Sequence, residues 1–253
     1  SKNETIIKAG LRSLYRFAHG LDATAGIKDP IAAANGTYVT YLRIPLASPL
    51  LMNMFDTILN TARYSSMTLS IQAGSVSDLL TTPGTATVTA TASVYAMETD
   101  VPLYAEETMP KVHPYIVERP PVNPATGQLY IDMERAIDLG VFQLMVQAAD
   151  SATIGEGFSG TPSDTTLATI NYEEDQTFPL ETVSWKALQG ENKANMSLES
   201  FPAGYAWHTF VKNGSLMEAQ PAGFAATQRV NFTAGVFSTS QISALVYGAR
   251  DLK

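Results

Sequence analysis

A chain of 253 residues can bury a sizeable core, as one large domain or two small ones. Charged residues make up 16% of it and hydrophobic residues 45%, where an average globular protein carries roughly 25% charged residues. The net charge of -8 lacks the basic footprint of a phosphate-backbone binder. The lack of cysteine removes disulfides, thiolate catalysis and cysteine-ligated zinc. No window approaches the roughly 20 apolar residues of a membrane-crossing helix, and no signal-peptide pattern is present at the start.

Residues 4–21 are expected to form one amphipathic helix. Ile7, Leu11, Leu14, Ala18 and Leu21 recur at spacings of four and three and share a face. Lys8, Arg12 and Arg16 make a separate basic stripe, and Lys2 adds to the local excess against one acid, Glu4. The stripe reads either as an ordinary solvated face or as an arm that meets acidic partners or nucleic acid. Residues 22–37 read as a loop. The period then becomes two in TYVTYLRIPL (37–46), with Leu42, Ile44 and Leu46 on one face. PLLMNMFDTILNTA (49–62) returns to helical spacing through Leu51, Phe55, Ile58 and Ala62. MTLSIQAGS (67–75) reads as a half-buried strand, with Met67, Leu69, Ile71 and Ala73 opposite Thr68, Ser70 and Gln72.

The strongest alternation is TATVTATASVYAMETD (85–100), in which Ala86, Val88, Ala90, Ala92, Val94 and Ala96 oppose threonines and Ser93. Such alternation predicts antiparallel strands, because parallel strands are buried on both faces. Residues 101–130 carry six prolines and read as an extended connection or subunit-wrapping loop. YIDMERAIDLG (130–140) is expected to hold a short helix. GVFQLMVQAAD (140–150) alternates through Phe142, Leu144, Val146 and Ala148, and 151–178 reads as a long exposed loop. Further strands are expected at 181–188, 195–201, 229–237 and 241–249, with AWHTFV (206–211) as a fifth. About eight short strands joined by long loops predict an all-β sandwich or barrel. GSVSDLLTTPG (74–84) and GSLMEAQPAG (214–223) lie 140 residues apart and hint at a duplication.

No chemistry stands out. His19, His113 and His208 are far apart and fit no metal-ligand spacing. Ser159 in GFSG lacks a strand–turn–helix context. Glu106-Glu107 and the run Glu173, Glu174, Asp175 read as solvated loops, with a calcium site as the weaker alternative. The five Asn-x-Ser/Thr matches are read as unglycosylated. No catalytic residue, cofactor or metal site is expected.

The order of segments resembles the jelly-roll capsid proteins of picornavirus-like icosahedral viruses. PLLMNMFDTILNTARYSSMTLSIQ (49–72) is similar to the short helix and strand C that follow strand B in such chains, SLESFPAGYAW (197–207) to a late apolar-Pro-Tyr segment, and RVNFTAGVFSTSQISALVYGARDL (229–252) to the closing pair, strands H and I. Ser1 fits a subunit cut from a polyprotein. The resemblance implies an antiparallel eight-stranded jelly-roll sandwich, with a helical arm over 1–36 and the jelly roll over 37–253. The long stretches 101–130 and 151–178 depart from that pattern. They suit the alternative of two tandem jelly rolls, over 20–120 and 125–253, as in membrane-containing phages.

Either form implies a structural, self-assembling subunit of the virion. Its partners would be copies of itself and other capsid proteins, with Lys8, Arg12 and Arg16 facing inward toward nucleic acid. The competing expectation is a carbohydrate-binding or adhesive β-sandwich, a spike or lectin-like module, with Trp185, Tyr205 and Trp207 as its contacts. A jelly-roll enzyme would need a metal or an acid–base pair, which the sequence does not supply.

Overall fold

The computed structural model describes residues 5–21, 42–61, 64–72, 87, 89, 91–96, 98, 112–134, 136, 138–150, 161–175, 177–195, 201–223, 226–234 and 240–251. The described chain is mostly β with two helices. In order the elements are β1 (Ile7–Lys8), α1 (Leu11–Leu21), β2 (Val112–Glu118), β3 (Tyr130–Asp132), β4 (Leu139–Asp150), β5 (Thr161–Pro162), β6 (Leu167–Glu174) and β7 (Thr177–Ser184). There follow α2 (Trp185–Asn195), β8 (Tyr205–Thr209), β9 (Gln220–Pro221), β10 (Gln228–Ala234) and β11 (Ser240–Asp251).

The strands form two sheets. One has seven strands in the order β1-β2-β11-β4-β5, with β8 and β9 also paired to β4; the other has four, in the order β3-β10-β6-β7. Thus β2, β11, β4 and β8 lie side by side in one sheet and β3, β10, β6 and β7 in the other. Among the described strands, every pair except β1–β2 is antiparallel. The chain crosses between sheets from β2 to β3 to β4, then from β5 to β6, β7 to β8, β9 to β10, and β10 to β11. This is the double Greek-key winding of a jelly roll. Among the described residues its long strands lie between 112 and 251.

The core between the sheets joins Leu144, Val146, Ala148, Ile242, Ala244 and Val246 of one sheet to Ile131, Ile170, Tyr172, Val230 and Phe232 of the other. The first sheet is buried on its outer face as well. There Leu14 and Phe17 of α1, together with Leu51, cover Ile116, Phe142, Met145, Leu245 and Tyr247. Phe17 and Phe142 both meet Tyr247 edge-on, at 5.0 and 5.6 Å. The alternation expected for β4 is therefore hidden by a second apolar face. A bulge also moves Phe142 from the core face to the outer face. Gly248 sits opposite the bulge, where a Cβ would fall 2.2 Å from the Gly140 carbonyl oxygen, so no side chain fits.

Several sequence expectations are corrected. The helix expected over 4–21 starts at Leu11, because Ile7 and Lys8 pair in parallel with Ile116 and Val117. The helix expected at 49–62 is a short 3-10 turn, Met54–Thr57. Residues 42–46 and 67–72 form no strand, and the described positions of 85–100 form none either. Met67, Leu69 and Ile71 are 50%, 62% and 61% exposed, so this face is not buried. The rest of those segments lies outside the described residues, as do 74–84, Glu106-Glu107, Ser159 and 196–200.

The proline-rich stretch holds β2. Ile116 N–H donates to Ile6 O (2.9 Å), away from β11. Pro114, two residues earlier, would point its missing N–H to that same edge and so leaves the β11 ladder intact. The expected helix at 130–140 is instead β3 and a loop, and the expected loop 151–178 contains β6 and the start of β7. The strand expected at 181–188 ends at Ser184, whose hydroxyl accepts from Ala187 N–H (3.2 Å) and so caps α2. Strands are found as expected at 140–150, 206–211, 229–237 and 241–249, within the described residues.

Candidate assembly surface

Among the described residues, many polar side chains tie the elements of the fold together. Among the described residues no three His, Cys, Asp or Glu side chains are grouped to hold a metal. His113 is buried in β2. His208 lies in β8 against Phe210, ring centroids 4.7 Å apart. Burial first, and then the charge of Lys212, push its pKa down to about 4. The acidic run is engaged in cross-strand hydrogen bonds. Glu173 accepts from Asn231, Glu174 from Gln220 (3.0 Å) and Gln228 (2.6 Å), and Asp175 from the backbone N–H groups of Ala226 and Thr227. Each carboxylate ties β6 or the turn after it to the β9–β10 region.

The N-terminal arm is docked on the sandwich. β1 adds a parallel strand to the edge of β2. The Glu118 carboxylate accepts from Gly10 N–H (2.8 Å) and Ser13 Oγ (2.9 Å) at the start of α1, where a negative charge is favoured. The basic residues consequently separate: Lys8 is exposed on a strand, and Arg16 is buried with its guanidinium 5.1 Å from the centroid of the Tyr205 ring. Arg12 is half-buried on α1. No single helical stripe remains.

The three aromatic rings singled out for glycans belong to the interior. Trp185, Tyr205 and Trp207 are all buried. Trp185 Nε1 donates to Asp164, and Tyr205 and Trp207 stack at 6.3 Å. A sugar platform needs an open ring face, and burial in two apolar clusters takes these away.

The edge of β8 is closed by side chains. Asn192 on α2 donates from Nδ2 to Trp207 O and accepts Trp207 N–H at Oδ1, both at 2.7 Å, and Gln189 donates to Tyr205 O at 3.0 Å. Two amides of a helix thereby take the place of a neighbouring strand, and the edge is withheld from pairing with another chain. The Asp164 carboxylate holds this corner together by accepting from Gln189 (2.6 Å), Gly204 N–H (2.7 Å) and Trp185 (3.3 Å).

Several large apolar side chains are left exposed: Met52, Met67, Leu69, Ile71, Val94, Tyr95 and Met217. Met52 and Met217 were not singled out from sequence. Their signal was a methionine next to a Pro-, Asn- or Gly-rich turn.

No family model matches the chain, and no curated protein matches it. Among solved structures, the chain is similar over 55% of its length to the major capsid protein P2 of Bacteriophage PM2, at 8% identity and a TM-score of 0.36. It is similar over 57% to a chain of Sulfolobus Turreted Icosahedral Virus, at 18% identity and a TM-score of 0.40. A second structure, of the STIV MCP, matches over 58% at 16% identity and a TM-score of 0.39. These matches span 44%, 40% and 44% of those chains, less than half of each. At these scores the likeness bears no weight for function.

Proposed function

We propose that this protein is a structural, self-assembling subunit of an icosahedral viral capsid, residing in the virion and without catalytic activity. The observation that carries the reading is a chain that folds its strands into a jelly roll and leaves several large apolar side chains exposed, most of them before that winding. Met52, Met67, Leu69, Ile71, Val94 and Met217 face solvent in a chain with only 16% charged residues. Obligate interfaces need such surface, because they bury thousands of Å² and are more hydrophobic than transient ones. The sequence resemblance to jelly-roll capsid proteins points the same way. Other capsid proteins are the expected partners besides copies of the chain.

The finer architecture follows from where the winding lies. Among the described residues β2, β3, β4, β6, β7, β8, β10 and β11 make the jelly-roll winding, and the segments 67–75 and 85–100 precede it. A single jelly roll accounts for these strands, with two tandem barrels, over 20–120 and 125–253, as the alternative. A contact of the arm with nucleic acid would fall to Lys8 and Arg12. Negative-stain microscopy and sedimentation of the purified protein test the assignment. Shells, rings or defined oligomers are expected; a monodisperse monomer at high concentration overturns it.

A further inference from the structure

The loop 212–218 is built to hold an apolar side chain out into water. Glu218 accepts from Asn213 N–H (2.8 Å) and Asn213 Nδ2 (2.5 Å), so one carboxylate clamps the loop across its base. Ser215 Oγ accepts from Met217 N–H (3.3 Å) and caps the short 3-10 turn Leu216–Glu218. Gly214 has φ +77 and lies against Met52, where a Cβ would come within 2.7 Å of Met52 Cγ, so glycine alone suits both the backbone and the contact. Met52 N–H donates to Gly214 O (3.0 Å), joining a second chain segment to the loop. At the top of this braced turn Met217 is 95% exposed, and Met52 beside it is 88% exposed.

Next to this projection lies a cleft. It has a volume of about 180 Å³ and is lined by Leu139, Leu216, Ala219 and Ala249, with Asp138 and Asp251 on its wall. A water occupies about 30 Å³, so the cleft admits a few waters or one unbranched side chain. Asp138 is already near Arg250 (Nε–Oδ1 3.9 Å), whereas Asp251 is exposed at the end of β11. Lys212 is exposed at the start of the projecting loop.

We propose that Met217 and the cleft beside Leu216 form a self-complementary contact through which two copies of this chain pair about a two-fold axis. The proposal rests on the assembly reading above and names one of its interfaces. Projection and cleft share the same loop, Leu216 in the wall and Met217 outside it, so the patch carries both halves of the contact. A patch of that kind meets itself isologously. Each Met217 enters the other copy's cleft, displacing water from apolar walls, and each Lys212 faces the other copy's Asp251. The occupant is a second copy because the charges match: a base beside the projection, an acid beside the cleft. An unbranched thioether adapts to such a pocket better than a branched side chain. The braced loop pays the ordering entropy before contact.

Sedimentation velocity of the full chain over a concentration series tests this, with Met217→Asp, Met217→Ser and Met217→Leu, and with Lys212→Glu alone and combined with Asp251→Lys. Met217 is solvent-exposed, so the variants retain wild-type circular dichroism. Met217→Asp should raise the dissociation constant of the pairing step at least about tenfold, Met217→Ser should also weaken it, and Met217→Leu should stay near wild type. Lys212→Glu should weaken it, and adding Asp251→Lys should restore it. If the wild type assembles and both Met217→Asp and Lys212→Glu alone leave the association unchanged, this contact is overturned while the assembly reading stands. If the wild type does not self-associate at all, the assembly reading itself fails.

Discussion

A few buried or half-buried polar side chains do work at the residue scale that apolar packing cannot. Asp164 accepts three hydrogen bonds, from Trp185, Gln189 and Gly204, and so fixes α2 against the turn that leads into β8. Asp164→Ala leaves three donors without an acceptor, and urea unfolding should show a loss of about 3 kcal/mol. An Asn substitution should recover part of that. His208 makes stability depend on pH. Its folded-state pKa is lowered to about 4 from an ordinary value of 6.5, so the unfolded chain takes up the proton first as pH falls. The stability it supports is present above pH 6.5 and is lost as pH falls toward 4, by on the order of 2–3 kcal/mol. Urea midpoints measured between pH 7.5 and 4.5 should drop more steeply for the wild type than for His208→Gln. Equal slopes would show that the imidazole is not the titrating group.

Two helices complete the sandwich at the scale of elements, and each does so by a different means. α1 is a cover: Leu14 and Phe17 hide the outer face of the seven-stranded sheet, and Glu118 fixes the start of the helix. Phe17→Ala should cost about 3–5 kcal/mol and expose the sheet to a hydrophobic dye. α2 is an edge guard, because Asn192 and Gln189 satisfy the backbone of β8. Asn192→Ala leaves the Trp207 N–H and carbonyl unpaired, at about 1–3 kcal/mol, and opens an edge. Light scattering should then show aggregation that grows with concentration, while the circular dichroism at low concentration stays that of the wild type. Neither role was legible in sequence. The buried positions of α2 are Trp185, Leu188 and Asn192, only two of them apolar, and the short run ETVSWKAL alternates as well as it winds. In β6 the core residues Leu167, Ile170 and Tyr172 are separated by Thr169, Asn171 and Glu173, which face partners across the strand pair. Thr169 meets Thr233, and Glu173 lies opposite Arg229. Local composition therefore reads as a loop, and only the register of β10 explains it.

For the whole molecule, amide hydrogen exchange distinguishes a single jelly roll from the tandem form. If 67–75 and 85–100 are strands of a first barrel, their amides should exchange slowly, as those of β4 and β11 do. Exchange at the rate of an unstructured chain there would leave a single jelly roll. The alternation of period two, the lack of nucleophile or metal motifs and the low charge were readable from residues alone, because each is a property of local order or of composition. So were β4, β8, β10 and β11, whose runs are dominated by apolar and β-branched side chains that suit a pleated, buried surface. The tertiary structure decided which alternating segments pair, that Trp185, Tyr205 and Trp207 are interior, that Arg16 is buried, and that Met217 stands beside a cleft. Those outcomes depend on contacts between residues far apart in the chain. A side chain's exposure is set by what the rest of the fold places against it, and no local period carries that information.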